Sequence, residues 1–581
     1  MYVATVPNRN SPPAMLLRES FRLHGQVRNR TLANLSHWPP PQIEALRSVL
    51  KGATSFGPPL PQAFDIVRSR PHGHVAAVLG TLHRLQLHQL IDKHSSHELN
   101  LVLAMIVARV LEPASKLATS RTLHPATLSS TLGELLHLDS PSEDELYQAM
   151  DWLLPQQARI EQALAKRHLA EGALVLYDLT STYFEGRHCP LAKLGHPRDG
   201  KKGKLQVVFG LMTNAEGCPV AVEVYAGNTS DPKTVSDQVT KLRQRFGLQR
   251  VILVGDRGMI TSARIRENLQ PAPGLEWITA LRAPAIKKLA SDGVLQLSLF
   301  DRRDLAEITH PDFPGERLIA CFNPLLAEER ARKRPELLTA TEKELEKVAG
   351  ATRRKKRPLR GKQNIGLRVG KVLNRYKMGK HFQIQIQDDS FSYQRKQANI
   401  EKEESLDGIY VIRTNVPAEV FSSEQAVRNY KSLSGVERAF RSLKTVDLHV
   451  RPIHHRQPDR VRAHIFLCVL AYYVEWHMRK DLAPLLFDDD DKAAAEQLRA
   501  SVVAPAQRSA STQAKVHRKR TPDDLPVHSF QTLLSDLATI VTNRVQPKDA
   551  SIPAFDIITT PTTLQQRALD LLRVPLKPPS A

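Results

Sequence analysis

Apolar residues recur at three- and four-residue spacing in HVAAVLGTLHRLQLHQLID, ELNLVLAMIVARVL and EDELYQAMDWLLPQQARIEQALAKRHL, all between His74 and Leu169, and that period predicts amphipathic helices. Ser142, with Glu145 three residues on, predicts the capped start of the third. At Gly172 the texture changes. ALVLYD (173–178) is a short apolar run ending in aspartate, which predicts a buried central strand. KLQVVFGLMTN and PVAVEVYAGN follow, joined by AEGC as a hairpin. TVSDQVTKLRQRFG (234–247) predicts a helix closed by glycine. RVILVGD (250–256) is a second apolar strand ending in aspartate, and a short helix from Thr261 leads to the strand WITALR (277–282). The order strand, strand, strand, helix, strand, helix, strand predicts an α/β RNase H-like core, with its first and fourth strands parallel and adjacent.

Beyond Arg282 the strand-like runs GVLQLSLF, RLIACFN, HFQIQIQ and DGIYVIRTN predict a mostly β insertion domain; a charged helical segment (325–350) and the basic run RRKKRPLRGK (353–362) lie inside it. YKSLSGVERAFRSLK (430–444) then reads as one helix. Tyr430, Glu437 and Lys444 are two turns apart each time and share a face, Arg441 joins them, and Glu437 reads as a buried carboxylate. Val436, Ala439, Phe440 and Leu443 form the apolar docking stripe. A long apolar helix (460–482) should back the sheet. FDDDDKAAAE and STQAKVHRKRTP read as linkers, HSFQTLLSDLATIVTNRV as a closing helix, and the Pro- and Thr-rich tail as mobile. The resulting division is a basic arm or small domain (1–70), a helical domain suited to DNA (71–170), the core's first part (171–285), the insertion (286–415), the core's second part (416–485) and a linker with a C-terminal helix (486–581).

Composition changes the picture in one respect. Lys and Arg exceed Asp and Glu by 82 to 60, a formal net charge of +22, and such an excess points to a polyanion, above all nucleic acid. The four cysteines (Cys189, Cys218, Cys321, Cys468) match no zinc spacing and read as reduced thiols of a cytoplasmic protein. No apolar run reaches membrane length.

Asp178 and Asp256, at the ends of adjacent parallel strands, would repel each other, and a divalent cation removes that conflict. Oxygen-only ligation favours Mg²⁺ or Mn²⁺ over zinc, and Glu437 would complete the set. Either aspartate by itself also fits a turn or helix cap. Glu475, on the long apolar helix, is the rival third ligand. The run Arg353, Arg354, Lys355, Lys356 and Arg357 fits a clamp on the DNA backbone or a solvated loop. Trp277 and Phe322 fit base stacking less well than core packing. HVRPIHHR reads as an exposed, phosphate-facing basic turn.

The segments LVLYDLTSTYFEG, GNTSDPKTV, VILVGDRGMITSARI, WITALR, YKSLSGVERAFRSLK and RPIHHRQPDRVRAHIF resemble, in order, the DDE transposases of bacterial insertion sequences, in the group with a β-rich insertion before the final Glu. The resemblance runs over about residues 75 to 480. It implies catalytic, metal-binding acids at Asp178, Asp256 and Glu437, with two Mg²⁺ (or Mn²⁺) ions per site bridged by Asp178. The group's Tyr-Arg-Glu-Lys signature maps onto Tyr430, Leu433, Glu437 and Lys444; leucine stands where the group has arginine, and Lys431 or Arg438 are the substitutes at hand. Tyr430, Lys431, Arg438, Arg441 and Lys444 would bind DNA. The implied activity is hydrolytic release of the element's 3′ ends at its terminal inverted repeats, then attack of those hydroxyls on target DNA. The implied partners are double-stranded DNA and a second copy of the chain in the DNA complex, at the nucleoid and with no membrane involved. A nuclease that cuts without joining, and a non-catalytic DNA-binding protein, are the alternatives.

Overall fold

The computed structural model describes residues 1–9, 11–52, 63–127, 129–300, 304–549 and 551–577. The chain divides into two compact units, Met1–His72 with Ala538–Pro561, and Gly73–Leu537 with Thr562–Ala581.

The first unit replaces the expected loose arm and mobile tail with sheets; of the 1–70 stretch, residues 53–62 lie outside the described residues. Strands Tyr2–Val6, Ala14–Leu23 and Gln26–Asn34 form one antiparallel sheet, and Val3, Leu35 and Ile43 make its small core with helix Pro40–Leu50. His24 and Gly25, both at positive φ, make the tight turn between the second and third strands. A second sheet pairs Val541–Pro547 with Phe64–Pro71 on one side and Phe555–Ile558 on the other. Strand partners nearly 500 residues apart in the chain leave no local signature.

In the second unit the helices expected before Leu169 are present: α1 (Gly73–Arg84), α2 (His97–Leu111), α3 (Glu143–Leu153) and α4 (Gln157–His168), with the Ser142–Glu145 capping box formed in both directions. The sheet has eight strands: β1 (Ala173–Tyr183), β2 (Gln206–Asn214), β3 (Pro219–Ala226), β4 (Val251–Gly255), β5 (Leu275–Ala280), β6 (Leu305–Ile308), β7 (Arg317–Phe322) and β8 (Ile409–Thr414). Their spatial order is β6–β7–β8–β5–β4–β1–β2–β3. β1, β4 and β5 are parallel neighbours, and all other pairings are antiparallel. This is an α/β protein built on one large mixed sheet. The fully buried Glu161 ties α4 to the sheet by accepting from the Val222 amide (3.0 Å), Lys241 Nζ (3.2 Å) and Arg245 Nη1 (3.1 Å).

The insertion differs from expectation. Helix α5 (Pro324–Thr352) has 29 residues, more than the segment's strands together, and α6 (Lys362–Tyr376) adds 15, so the segment is chiefly helical. GVLQLSLF holds a short 3₁₀ turn (Leu297–Phe300) in place of a strand. RLIACFN and DGIYVIRTN form β7 and β8, which extend the main sheet, while Phe382–Ile386 and Phe391–Arg395 pair as a hairpin on the core that Leu345, Ile365, Phe382 and Phe391 share with α5 and α6. The expected Tyr430–Lys444 helix is broken into α7 (Ser423–Lys431), α8 (Leu433–Arg441) and a π-helical turn (Ser442–Val446). The apolar α9 (Pro458–Leu482) packs on α2, α3 and β3. Both expected linkers carry short helices, Lys492–Gln497 and Ala510–Arg518; the closing helix stops at Leu537, and another, Thr563–Leu572, lies in the expected tail.

Gly210 of β2 lies against the buried ring of Tyr177, one residue before Asp178. A methyl group there would come within 2.7 Å of the ring's Cε2 and Cζ. Gly210→Ala is therefore expected to destabilise the protein by about 1–3 kcal/mol in urea melts, and an unchanged midpoint would show that Tyr177 does not hold β1 in place.

Candidate active site

In the parallel register of β1 and β4, Tyr177 lies opposite Gly255. Asp178 and Asp256 are the next residues on the two chains, and neighbouring strands lie about 4.8 Å apart. β4 ends at Gly255, whereas β1 runs on to Tyr183 beside β2, so Asp178 stands in mid-strand and only its parallel partner stops. Asp256 opens a turn in which its carboxylate accepts from the Gly258 amide (3.2 Å). Arg282 pins that turn by donating to the carbonyls of Arg257 and Gly258 (3.1 Å each).

The third acid arrives on α8. Val436, Ala439 and Phe440 are its buried stripe, and the Phe440 ring meets Phe209 of β2 edge-on at 5.6 Å. Glu437 is exposed, which corrects the expected buried carboxylate: the stripe takes the core-facing side of the helix and leaves Glu437 at the edge. Its charge nevertheless acts on Asp178. Burial, with the charges of Asp256 and Glu437 adding, pushes the half-buried Asp178 carboxyl up to about 7, while the Leu179 amide (2.8 Å) and Arg198 oppose the rise. The three carboxylates thus feel one another, although their oxygens do not all lie within 4.8 Å; among the described residues only His168, Cys218 and His477 gather so closely.

Cations and one phenol surround the acids. Burial pushes the Tyr430 hydroxyl up to about 12, with Asp256, Asp178 and Glu437 adding to the shift and Arg257 opposing it. Tyr430 thus reaches the acids despite the break between α7 and α8. Burial lowers Lys444 to about 8 against the pull of Asp199 and Asp178. Arg438 and Arg441 are exposed on α8. Lys431 is turned away: its Nζ donates to the carbonyls of Val502 (2.7 Å) and Val503 (2.8 Å), where it holds a loop. Arg353, Arg354, Lys355, Lys356 and Arg357 are exposed between α5 and α6.

Glu475 is not part of this site. It is fully buried on α9, accepts from Ser442 Oγ (2.9 Å) and Arg479 Nε (2.6 Å), and burial pushes it up to about 8. Trp277 is buried in the core, and Phe322 stacks on Phe300 at 5.8 Å. The cysteines are free thiols. Sequence reasoning missed Arg198, Asp199 and Asp231. Arg198 pairs with Asp231, and Asp199 accepts from the Tyr183 amide and from Arg451 Nη1 (3.2 Å each). GNTSDPKTV held the signal for Asp231; the 184–205 loop, with its DGKKGK run, held that for Asp199.

The fold and site define an α/β protein in which Asp178 and Asp256 stand side by side where a parallel strand pair ends, with the charge of Glu437 acting on Asp178. The chain matches the family profile described as "Transposase DDE domain" over residues 176–474. Residues 3–61 match that of the "IS1634 family transposase, N-terminal domain". The first match spans more than half of the chain, which therefore belongs to the DDE transposases of insertion sequences. No curated protein matches. Among solved structures, a piggyBac transposase synaptic complex with hairpin DNA is similar at 10% identity over 70% of this chain and 72% of that one, with a TM-score of 0.33, a likeness too distant to carry further argument. Among the described residues no helix is long and apolar enough to cross a membrane.

A carboxyl raised by folding binds its proton more tightly folded than unfolded. Asp178 therefore makes stability fall as pH rises from its ordinary value of 3.8 to about 7. Asp178→Asn is expected to be more stable than wild type by about 1–3 kcal/mol at alkaline pH without divalent ions, the gap closing in acid, as read by urea melts. A pH-independent gap would mean that folding does not raise the proton affinity of the carboxyl.

Proposed function

We propose that the chain cuts and joins DNA as an insertion-sequence transposase, on an RNase H-like core whose acids are Asp178, Asp256 and Glu437. The observation that carries this reading is the juxtaposition of Asp178 and Asp256 in the β1–β4 register, with the charge of Glu437 acting on the same carboxyl. The all-oxygen donors repel one another and suit hard divalent cations; Asp178, Asp256 and Glu437 would hold two Mg²⁺ or Mn²⁺ ions per site. Such ions, when bound, supply Lewis-acid polarisation of the phosphate and of the attacking oxygen.

The chain's own residues bind and orient. Tyr430 stays protonated at neutral pH and donates to a phosphate oxygen. Lys444, beside Asp178, sets the strand in line and offsets charge as it builds on the phosphate. Arg438 and Arg441 continue the contact along α8, and the Arg353–Arg357 loop grips the backbone. Water first releases the 3′ ends of the element at its inverted repeats; each 3′-hydroxyl oxygen then attacks a target phosphodiester, forming one P–O bond as another breaks. No protein nucleophile is consumed. Two copies of the chain hold the two ends.

Asp178→Asn, Asp256→Asn and Glu437→Gln are each expected to lower Mg²⁺-dependent cutting of supercoiled DNA by about 10²–10⁴-fold while gel-shift affinity is kept. Undiminished cutting would refute the assignment, and cutting by the wild type without joining of pre-cut ends would make the protein a nuclease. Replacing Arg353, Arg354, Lys355, Lys356 and Arg357 by serine should flatten the salt dependence of DNA binding by about 0.9 in log–log slope for each phosphate that the loop no longer neutralises. An equal slope would leave the loop out of the interface.

A further inference from the structure

A second concave site lies beside the loop carrying HVRPIHHR. It encloses about 570 Å³, and Arg109, Lys116, Arg451, Arg456 and Arg460 contribute its charge. One wall is aromatic: the Tyr147 ring meets His455 edge-on at 5.9 Å and lies under the Arg460 guanidinium at 4.8 Å.

The charge balance of this pocket is unusual. Arg460 pairs with Asp151 (2.9 Å), and Arg451 with Asp199 (3.2 Å). Lys116, Arg109 and Arg456 have no carboxylate within ion-pair distance among the described residues. Lys116 is only 5% exposed and Arg109 only 7%, and each lies in the other's repulsive field. The Arg109 guanidinium has one carbonyl partner here, Ala114 at 3.2 Å. The histidines do not relieve the excess: burial, with the charges of Lys116 and Arg109, pushes His455 down to about 3, and His464 is held well below its usual range in the same way. Both are neutral, so neither adds to the charge of Lys116, Arg109 and Arg456. Burial, with Arg109 adding, depresses Lys116 itself to about 7. An ammonium and a guanidinium buried side by side without a counter-ion repel, so Lys116 is only partly protonated near pH 7 in the empty pocket, and an anion entering it would favour the charged form.

The pocket is tied to the strand that carries Asp178. Ile453 bridges to Phe184 just past the end of β1, with the Glu185 amide donating to the Ile453 carbonyl (3.0 Å), and Arg451 stacks on the Tyr183 ring at 5.3 Å. Tyr183 is five residues from Asp178, about 17 Å along a strand. That distance is the axial rise of about five base pairs of duplex.

We propose that this pocket binds a backbone phosphate of the DNA strand whose scissile bond lies at Asp178, with Lys116 and Arg109 as the buried contacts and Arg456 at the mouth. The assignment rests on the transposase reading above. Lys116 would then be a binding residue placed at the expense of folding stability.

The test uses the full-length chain and Lys116→Met, which keeps the length of the side chain and removes its charge. Anisotropy with a labelled random-sequence duplex is measured across a salt series, inorganic phosphate is titrated separately, and both proteins are melted. The expected result is a melting temperature equal to or above that of wild type, duplex affinity lower by about tenfold, and a log–log salt slope shallower by about 0.9. Unchanged affinity and slope would overturn the proposal. A lower melting temperature with an unchanged slope would also overturn it, since Lys116 would then be structural. Stabilisation of wild type by inorganic phosphate that Lys116→Met loses, without any change in duplex binding, would assign a free-anion site instead. Mg²⁺-dependent cutting by the wild type reads the carboxylate site by itself, so its absence refutes the transposase reading while the anisotropy series still decides the pocket.

Discussion

Burial of one carboxyl, Asp178, beside a second in the same strand register is the constraint around which this protein is arranged. The pairing of Tyr177 with Gly255 makes Asp178 and Asp256 neighbours whatever their side chains prefer, because backbone hydrogen bonds, not carboxylates, set the register of β1 and β4. Removing either charge would be the simplest relief. Arg198 opposes the rise at Asp178 but is itself engaged by Asp231, so it offsets the clash only in part. Asp178 is left with a carboxyl whose protonation is balanced near neutrality, a state that a structural cap would not need.

Local patterns carried much of this site in the sequence. The apolar runs before Asp178 and Asp256 are strands because β-branched and aliphatic side chains fill both faces of a central sheet, and the Ser142 capping box is a contact between residues three apart. The stripe of Val436, Ala439 and Phe440 located α8, yet it could not say which side of the docking edge Glu437 takes. That depends on Phe209, a partner more than 200 residues away. The break at Ser432 and the π-helical turn after Arg441 were likewise invisible to a uniform period of 3.6. They do not take Tyr430 out of the field of the three acids, whose charges add to the upward shift of its hydroxyl.

What was not legible depends on distant pairing. RLIACFN and DGIYVIRTN were recognisable as strands but not as additions to the main sheet, since their registers, Leu318 with Arg413 and Ile412 with Ala280, join segments far apart in the chain. The insertion reads as β when its apolar runs are weighed alone. Its longest element is the polar α5, only eight of whose 29 residues are buried. Val541–Pro547 pairs with a strand that the chain laid down at its opposite end, so the tail has order that its own composition would not predict. Lys431 shows the converse error. It stands among signature residues, but only the three-dimensional position of the 502–504 carbonyls reveals that its ammonium is already engaged.

The chain thus keeps two kinds of charge in unfavourable states on connected ground: carboxylates repelling one another at Asp178 and cations repelling one another at Lys116. Pairing the two sets would be the stabilising arrangement, and the chain makes such pairs elsewhere, as at Arg413 with Glu316 and Arg334 with Asp407. The separation means that neither set is complete within the polypeptide. On the proposed reading the carboxylates are satisfied by divalent cations from solution, and the buried ammonium and guanidinium groups by an anion from outside. On the proposed reading one substrate meets both demands, because a DNA strand brings phosphates spaced along its length and carries divalent ions to wherever acids await them. A strand that fills both places recovers the stability given up at both. Such coupling would favour cutting on a strand already seated in the Lys116 pocket over cutting on one that touches the acids alone.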